Sequence, residues 1–359
     1  MAELYGKPID RKELEMRAQM RQVAGVRLAT LEEGVEQGVK VAEFRTGAGL
    51  NFTVAISRAL DIFNAEYNGR ALGFLSPLGL VAPDFYDPAG LGWLRSFGGG
   101  LLTTCGLTYL GAPDVDEGQP LGLHGRVSNL PASHVKVTEG WVGDDYELAI
   151  EGEVVEAVPV VGDFVRLKRR IAARLGEAKI YLSDVVENFG YKSVPHMILY
   201  HMNLGYPLLD AGARVVAPSL EAMPRDADAQ VEADKWAEVL PPTPNFAERV
   251  YYHKLGADSA GRTTVALINP ALDDGLAFYI NFSRQQLPKF VQWKMCAAGN
   301  YVMGLEPGNC WVSGRSKARA AGELQFLEPG ESRRYDLEVG VVSGAAELAQ
   351  LEARIRALE

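Results

Sequence analysis

Apolar and polar residues alternate with a period of two along most of this chain. Leu50, Phe52, Val54 and Ile56 alternate with Asn51, Thr53, Ala55 and Ser57, which predicts a half-buried strand. Similar strands are predicted at Tyr146–Val155, Val165–Ile171, Ile180–Val186, Thr264–Ile268, Leu276–Phe282 and Tyr335–Val342, with Asp274-Gly275 read as a hairpin turn. The stretch from Val194 to Leu209 predicts a further strand that stops at Gly205 and Pro207. On its pleat Leu199, His201 and Asn203 share one face, while His196, Ile198 and Tyr200 share the other. Helical periodicity is confined to the two ends. Asp10 with Glu13 matches a capping box ahead of Leu14, Met16, Met20 and Val23, and Ser343 precedes Leu348, Leu351, Ile355 and Leu358. Many strands joined by Gly, Pro and Asp turns predict an all-β chain of large antiparallel sheets packed face to face. The expected layout is an N-terminal helical arm over 1–24, one β domain over 25–342 and a C-terminal helix over 343–359.

Two stretches break the alternation, Leu75–Asn129 and about Ala217–Asn245, and long ordered loops of this kind tend to lie over a binding face. The composition narrows the partners. Of 359 residues 47% are apolar and 23% charged, with a formal charge of -10, so a phosphate-backbone binder is not expected. Neither an apolar leader at the amino terminus nor a run of about 18 apolar residues is seen, which predicts a cytoplasmic protein with no membrane partner. Cys105, Cys296 and Cys310 are odd in number and widely spaced, so reduced, mostly packed thiols are expected. A P-loop, a Gly-x-Ser-x-Gly elbow and a His-Glu-x-x-His pair are all missing, and Asp114-Val-Asp-Glu-Gly118 is only a fragment of a calcium loop. Gly98-Gly-Gly100 lacks the spacing of a dinucleotide cradle.

Three stretches carry polar groups in unusual settings. His201 and Asn203 form a polar pair in an apolar strand, where they need hydrogen bonds or a ligand. Leu121-Gly-Leu-His-Gly-Arg126 sets His124 between glycines, either as part of a ligand site or as a turn with solvated side chains. Glu306 follows an apolar run and precedes Pro307, which is expected to end the strand. It is either a solvated charge or a base in a partly dry pocket, where burial would raise its pKa toward neutrality.

Leu-His-Gly, His-x-Asn on a strand and Leu-Glu-Pro, in this order over about residues 50–342, resemble the galactose mutarotase (aldose 1-epimerase) superfamily. Ser57-Arg-Ala-Leu-Asp61-Ile, Thr103-Thr-Cys-Gly106-Leu, Tyr200-His-Met-Asn-Leu-Gly205 and Gly304-Leu-Glu-Pro307 resemble a divergent aldose 1-epimerase-like branch. The resemblance implies a β-supersandwich with a sugar cleft on its concave face and no cofactor. It implies that Glu306 is the base removing the anomeric hydroxyl proton, that His201 is the acid protonating the ring oxygen, and that His124 contacts the sugar.

The chain departs from the usual pattern in three places. Only Met202 separates His201 from Asn203, Arg126 replaces the second glycine after the Leu-His pair, and Gly308 follows Glu-Pro. Substrate identity is therefore left open. Arg126, Arg58, Asp61 and Lys294 are candidate contacts to hydroxyls or an anionic group, as is Asn203 beside His201. Arg58 and Asp61 read equally as a structural ion pair, and Lys294 as a solvated lysine. Trp93, Tyr109 and Trp311 are candidate stacking surfaces or simply core. The expected activity is anomer interconversion of a free or modified sugar, with a non-catalytic sugar-binding protein or another proton transfer on a sugar as alternatives.

Overall fold

Two large sheets carry the core. The computed structural model describes residues 2–359, with side chains from Leu4 onward. The first sheet orders eight antiparallel strands as Ser133–Val142, Asp145–Val158, Asp163–Arg174, Lys179–Asn188, Ser332–Ser343, Leu276–Ser283, Arg262–Asn269 and Arg214–Val216. The second runs Ser219–Pro224, Arg249–Leu255, Lys289–Ala297, Asn300–Gly308, Val194–Leu204 and Gln325–Leu327, and Leu102–Leu107 also pairs with Val194–Leu204. A five-stranded sheet formed by residues 25–71 packs into the same core.

Alternation decides which side chains meet between the sheets. Leu167, Ile171, Leu182, Val186, Phe278 and Leu337 of the first sheet share one apolar cluster with Ile198, Tyr200, Met202, Phe290, Met303 and Leu305 of the second. The opposite face of the second sheet supplies Leu199, Val250 and Val291, which pack with Cys105, Trp93, Tyr109 and Leu121 in a separate cluster. Leu75–Asn129 thus covers this outer face. It is more regular than the sequence pattern predicts, because it contains the wholly buried strand Leu102–Leu107 and a small hairpin, Asp114–Asp116 with Gln119–Leu121. A strand buried on both faces shows no alternation to read.

Three other elements differ from expectation. A hairpin of Ala2–Leu4 and Lys7–Ile9 precedes the N-terminal helix. That helix is interrupted by extended backbone at Ala18, giving Arg11–Arg17, capped by Asp10, and Met20–Val23. The strands around Asp274-Gly275 end at Asn269 and resume at Leu276, so a six-residue connection replaces the two-residue turn. The closing helix is Ala345–Arg356, seated on the first sheet through Leu348, Leu351 and Ile355.

One apolar strand of the first sheet turns a carboxylate inward. Asp184 lies between buried Leu182 and Val186, and its cross-strand partner Arg169 bonds it at 2.7 Å. Arg169 also reaches Asp61 at 2.8 Å and the Thr104 hydroxyl, and Tyr200 donates to Asp184 at 2.8 Å. This network ties the three sheets together directly behind His201.

Buried histidines add a measurable pH dependence. His196 donates from Nδ1 to the Leu107 carbonyl at 3.0 Å, so its Nε2 accepts from the Tyr335 hydroxyl at 2.7 Å. Burial lowers its pKa from 6.5 to about 4. A lowered folded-state pKa gives stability that is complete above pH 6.5 and lost as pH falls toward 4. Glu306 and Glu156, raised by burial, act with the opposite sign, so the difference between native and His196→Gln isolates the imidazole. The destabilisation caused by His196→Gln is expected to shrink by about 2 kcal/mol between pH 7.5 and 5 in urea titrations. A difference that stays constant would contradict neutral burial.

Candidate active site

Strand register assembles the central pair. In the second sheet Met202 lies opposite Leu305 and Asn203 opposite Gly304, which sets His201 beside Glu306 on the outer face. His201 Nε2 is 3.2 Å from Glu306 Oε1, and both residues are almost fully enclosed, at 5% and 2% exposure. Burial pushes the Glu306 carboxyl well above the usual carboxylate range. It also lowers His201 to about 3, with a smaller contribution from His124. Burial thus favours the uncharged form of both side chains.

Aromatic rings close around this pair. The His201 ring meets His124 edge-on at 5.8 Å between ring centroids, and lies 5.5 Å from Trp293 and 5.9 Å from Phe97. Trp93 stacks on Phe97 at 4.8 Å and bears on His124 at 5.0 Å. His124 has a left-handed backbone with φ of 57°, unusual for a residue with a side chain, and its N–H and C=O are held by Gly111 and Gly106. Its Nδ1 is enclosed without a partner, as are His201 Nδ1 and Asn203 Oδ1. Glu306 Oε1 likewise makes no hydrogen bond, and since such groups are costly unless a ligand or water reaches them, this face is the candidate binding site.

Three glycines make room for the arrangement. At Gly99 and Gly100 φ is 81° and 93°, and a Cβ on Gly99 would stand 2.4 Å from the Phe74 carbonyl oxygen. The Gly98–Gly100 loop thereby approaches closely enough for Asn203 Nδ2 to donate to the Gly100 carbonyl at 3.0 Å. A Cβ on Gly304 would lie 2.3 Å from Glu306 Oε1. Gly304→Ala is thus expected to swing the carboxyl away from His201 and to slow any reaction whose proton transfer passes through this pair by about 10-fold or more. Unchanged turnover in that variant would contradict the need for this contact.

The remaining candidates are placed as follows. Arg58 does not pair with Asp61; its guanidinium donates to the carbonyls of Ser128, Val81 and Ser96 and pins the covering loop. Asp61 accepts from Thr104 and Arg169 within the buried network. Lys294 points to the opposite face of the sheet, where it is buried and donates to the Lys235 carbonyl at 2.9 Å. These three are not aimed at the His201–Glu306 face, because each is consumed by structural partners. Arg126 keeps an enclosed Nε without a partner, next to the loop that carries His124. Trp93 is buried and donates to Ser128, Tyr109 is buried in the outer cluster, and Trp311 stacks on Tyr252 at 4.6 Å. Pro307 does not end its strand, which runs to Gly308 with Glu306 inside it. Asp114 and Asp116 bind Ser316, Arg315 and Arg319, and no metal-holding group of His, Cys, Asp or Glu is found among the described residues.

Sequence reasoning missed Trp293, Phe97, Tyr252 and Glu248. Trp293 was legible, since alternation places it opposite in sense to Lys294, and its Nε1 donates to Glu248 at 2.8 Å. A surface groove of about 1110 Å³, lined by Arg21, Val26, Glu43 and Tyr146, contains none of the site residues. The enclosed polar pair is the better marker of chemistry, because a groove of mixed charge on a sheet edge has no group poised for proton transfer.

The model of a domain of unknown function, DUF4432, matches residues 36–341. The chain belongs to the DUF4432 family. A solved structure from Klebsiella pneumoniae subsp. pneumoniae, provisionally named an aldose 1-epimerase, superimposes on this DUF4432 chain with a TM-score of 0.88 and 29% identity. The match covers 93% of this chain and 87% of that one. A galactose mutarotase-like protein from Clostridium acetobutylicum gives a TM-score of 0.63 at 13% identity, covering 90% and 99% of the two chains. A galactose 1-epimerase from Lactobacillus acidophilus NCFM gives 0.53 at 12%, covering 89% and 99%. At such identity these last two share the fold alone. No curated protein matches the sequence. The DUF4432 chain thus shares the β-sandwich fold of these aldose 1-epimerase and galactose mutarotase-like structures. Among the described residues no helix is long and apolar enough to cross a membrane.

Proposed function

We propose that this DUF4432 protein interconverts the anomers of a free or modified aldose. The observation that carries the proposal is the enclosed His201–Glu306 contact of 3.2 Å on a face ringed by aromatic side chains and unpartnered polar atoms. Acid and base must lie within hydrogen-bond reach of one sugar, and this pair can bracket the anomeric hydroxyl and the ring oxygen.

The proton balance is simple. Burial favours a protonated Glu306 beside a neutral imidazole, and in this scheme that proton passes from Glu306 to His201 Nε2 as sugar hydroxyls restore solvation to both groups. Glu306 carboxylate then takes the proton of the anomeric hydroxyl, the C1–O1 bond becomes a carbonyl, and the C1–O5 bond breaks as O5 takes the proton from His201. Rotation about C1–C2 and the reverse transfers close the ring on the other face. The open-chain state leaves a neutral imidazole beside a protonated carboxyl, the uncharged forms that burial favours. His124 and Asn203 are the nearest fixed partners for the sugar's other hydroxyls, and the scheme uses no cofactor.

Proton abstraction from carbon is the competing reaction on the same residues. Incubation with candidate aldoses in deuterated water separates the two, since mutarotation exchanges hydroxyl protons only. Anomer exchange without deuterium at carbon supports the proposal. Deuterium entering at the carbon next to the carbonyl would overturn it.

A further inference from the structure

The outer face of the second sheet holds one more enclosed polar atom in line with the pair. Glu306 lies opposite Val291, and Val291 lies opposite Tyr252. Tyr252 therefore shares a transverse row and a face with His201 and Glu306, two strands beyond the carboxyl, at about 9.6 Å between backbones by ordinary strand spacing. Its ring is fixed by stacking on Trp311 at 4.6 Å with 28° between planes. Its hydroxyl is enclosed and has no hydrogen-bond partner. A phenol in that position loses water's hydrogen bonds and gains none from the protein, which is tolerable where a ligand supplies them. Burial raises its pKa to about 12, so the group remains an O–H able to donate and accept.

The charged groups around this row indicate what it reads. Arg225, whose N–H bonds the Val250 carbonyl on the neighbouring strand, is held by Asp226 at 2.7 Å and Glu248 at 2.9 Å. Glu248 in turn accepts from Trp293 Nε1 beside His201. Lys289, one row along from Val291 on the same face, is paired with Glu323 at 3.0 Å and sits 4.5 Å over Trp311. Both cations already have carboxylate partners, and carboxylates at this rim repel an anion.

We propose that Tyr252 is a specificity-determining residue whose hydroxyl binds a hydroxyl of a neutral, unphosphorylated sugar on the side of the ring away from the anomeric carbon. The proposal rests on the isomerase reading only for the direction of the ring; the contact itself does not require turnover. Tyr252→Phe removes one oxygen and keeps the stack on Trp311. The probes are D-glucose, D-galactose, their 4-deoxy and 3-deoxy analogues, D-galacturonate and D-galactose 6-phosphate, with Kd from protein NMR shifts and kcat and KM from anomer exchange. Native protein is expected to bind a neutral aldose more tightly than its uronate or phosphate. Tyr252→Phe is expected to raise Kd and KM about 5- to 10-fold with kcat within about threefold, and to lose that effect on one deoxy analogue. Equal binding by Tyr252→Phe, tighter binding of the anionic sugars, or binding of no neutral sugar would overturn it. Binding without anomer exchange in either protein would remove the isomerase reading while the Kd comparison still decides the role of Tyr252. Unchanged far-ultraviolet circular dichroism and thermal midpoint keep a folding defect from imitating the result.

Discussion

Glu306→Gln is expected to slow catalysed anomer exchange by about 10² to 10⁴ while leaving the fold intact. The reason lies in the resting charge of the pair. Burial raises the Glu306 pKa and favours its uncharged carboxyl, for which a neutral amide of nearly the same shape is a close replacement, and stability should change by no more than about 1 kcal/mol. What disappears is the capacity to take up and return a proton. His201→Ala is expected to lose a comparable factor, because the carboxyl then has no partner at 3.2 Å to hold the second proton position. The double variant should be little slower than either single one, since groups that act as a unit are not additive. Exchange spectroscopy on an accepted sugar, with urea unfolding alongside, checks both halves. Full activity in Glu306→Gln would remove the carboxyl from the mechanism.

The largest expected effect on stability lies behind the site. Arg169 is wholly buried and holds Asp61, Asp184, the Thr104 hydroxyl and the Ala59 carbonyl. Arg169→Leu leaves two carboxylates in a dry interior without their counter-charge, and breaking a buried pair from one side costs about 3–5 kcal/mol. Relieving the stranded charge by adding Asp61→Asn and Asp184→Asn should recover part of the loss. Because Tyr200 hangs from Asp184 and precedes His201, Arg169→Leu should also lower turnover in protein that remains folded. A urea midpoint unchanged by Arg169→Leu would show that the network is not holding the sheets together.

Period-two alternation was enough to read strands of the first sheet, since Lys179–Asn188 and Asp145–Val158 bury one face and wet or pair the other. It failed at Leu102–Leu107, where all six residues are buried, and at the interrupted N-terminal helix, where Met16 is 71% exposed. The His201–Glu306 contact depends on residues 105 positions apart meeting through strand register, and no local pattern encodes that pairing. Short motifs flagged both residues, whereas the partner of each came from topology. Arg58, Asp61 and Lys294 misled for the opposite reason. A charged residue near a motif looks like a ligand contact in sequence, yet each of these has its charge or hydrogen bonds taken up by backbone carbonyls or by Arg169 and Thr104. Trp293 and Tyr252 sit in strands whose facing is clear only once Glu306 fixes which side is the site.

The central claim is that the enclosed pair moves protons on an anomeric centre. Exchange between α and β resonances of neutral aldoses, measured by NMR with increasing native protein, tests it most directly. The account predicts an exchange rate that rises in proportion to protein concentration for at least one neutral sugar. Sugar-dependent shifts in the protein with no acceleration for any aldose would contradict it and leave a binding protein.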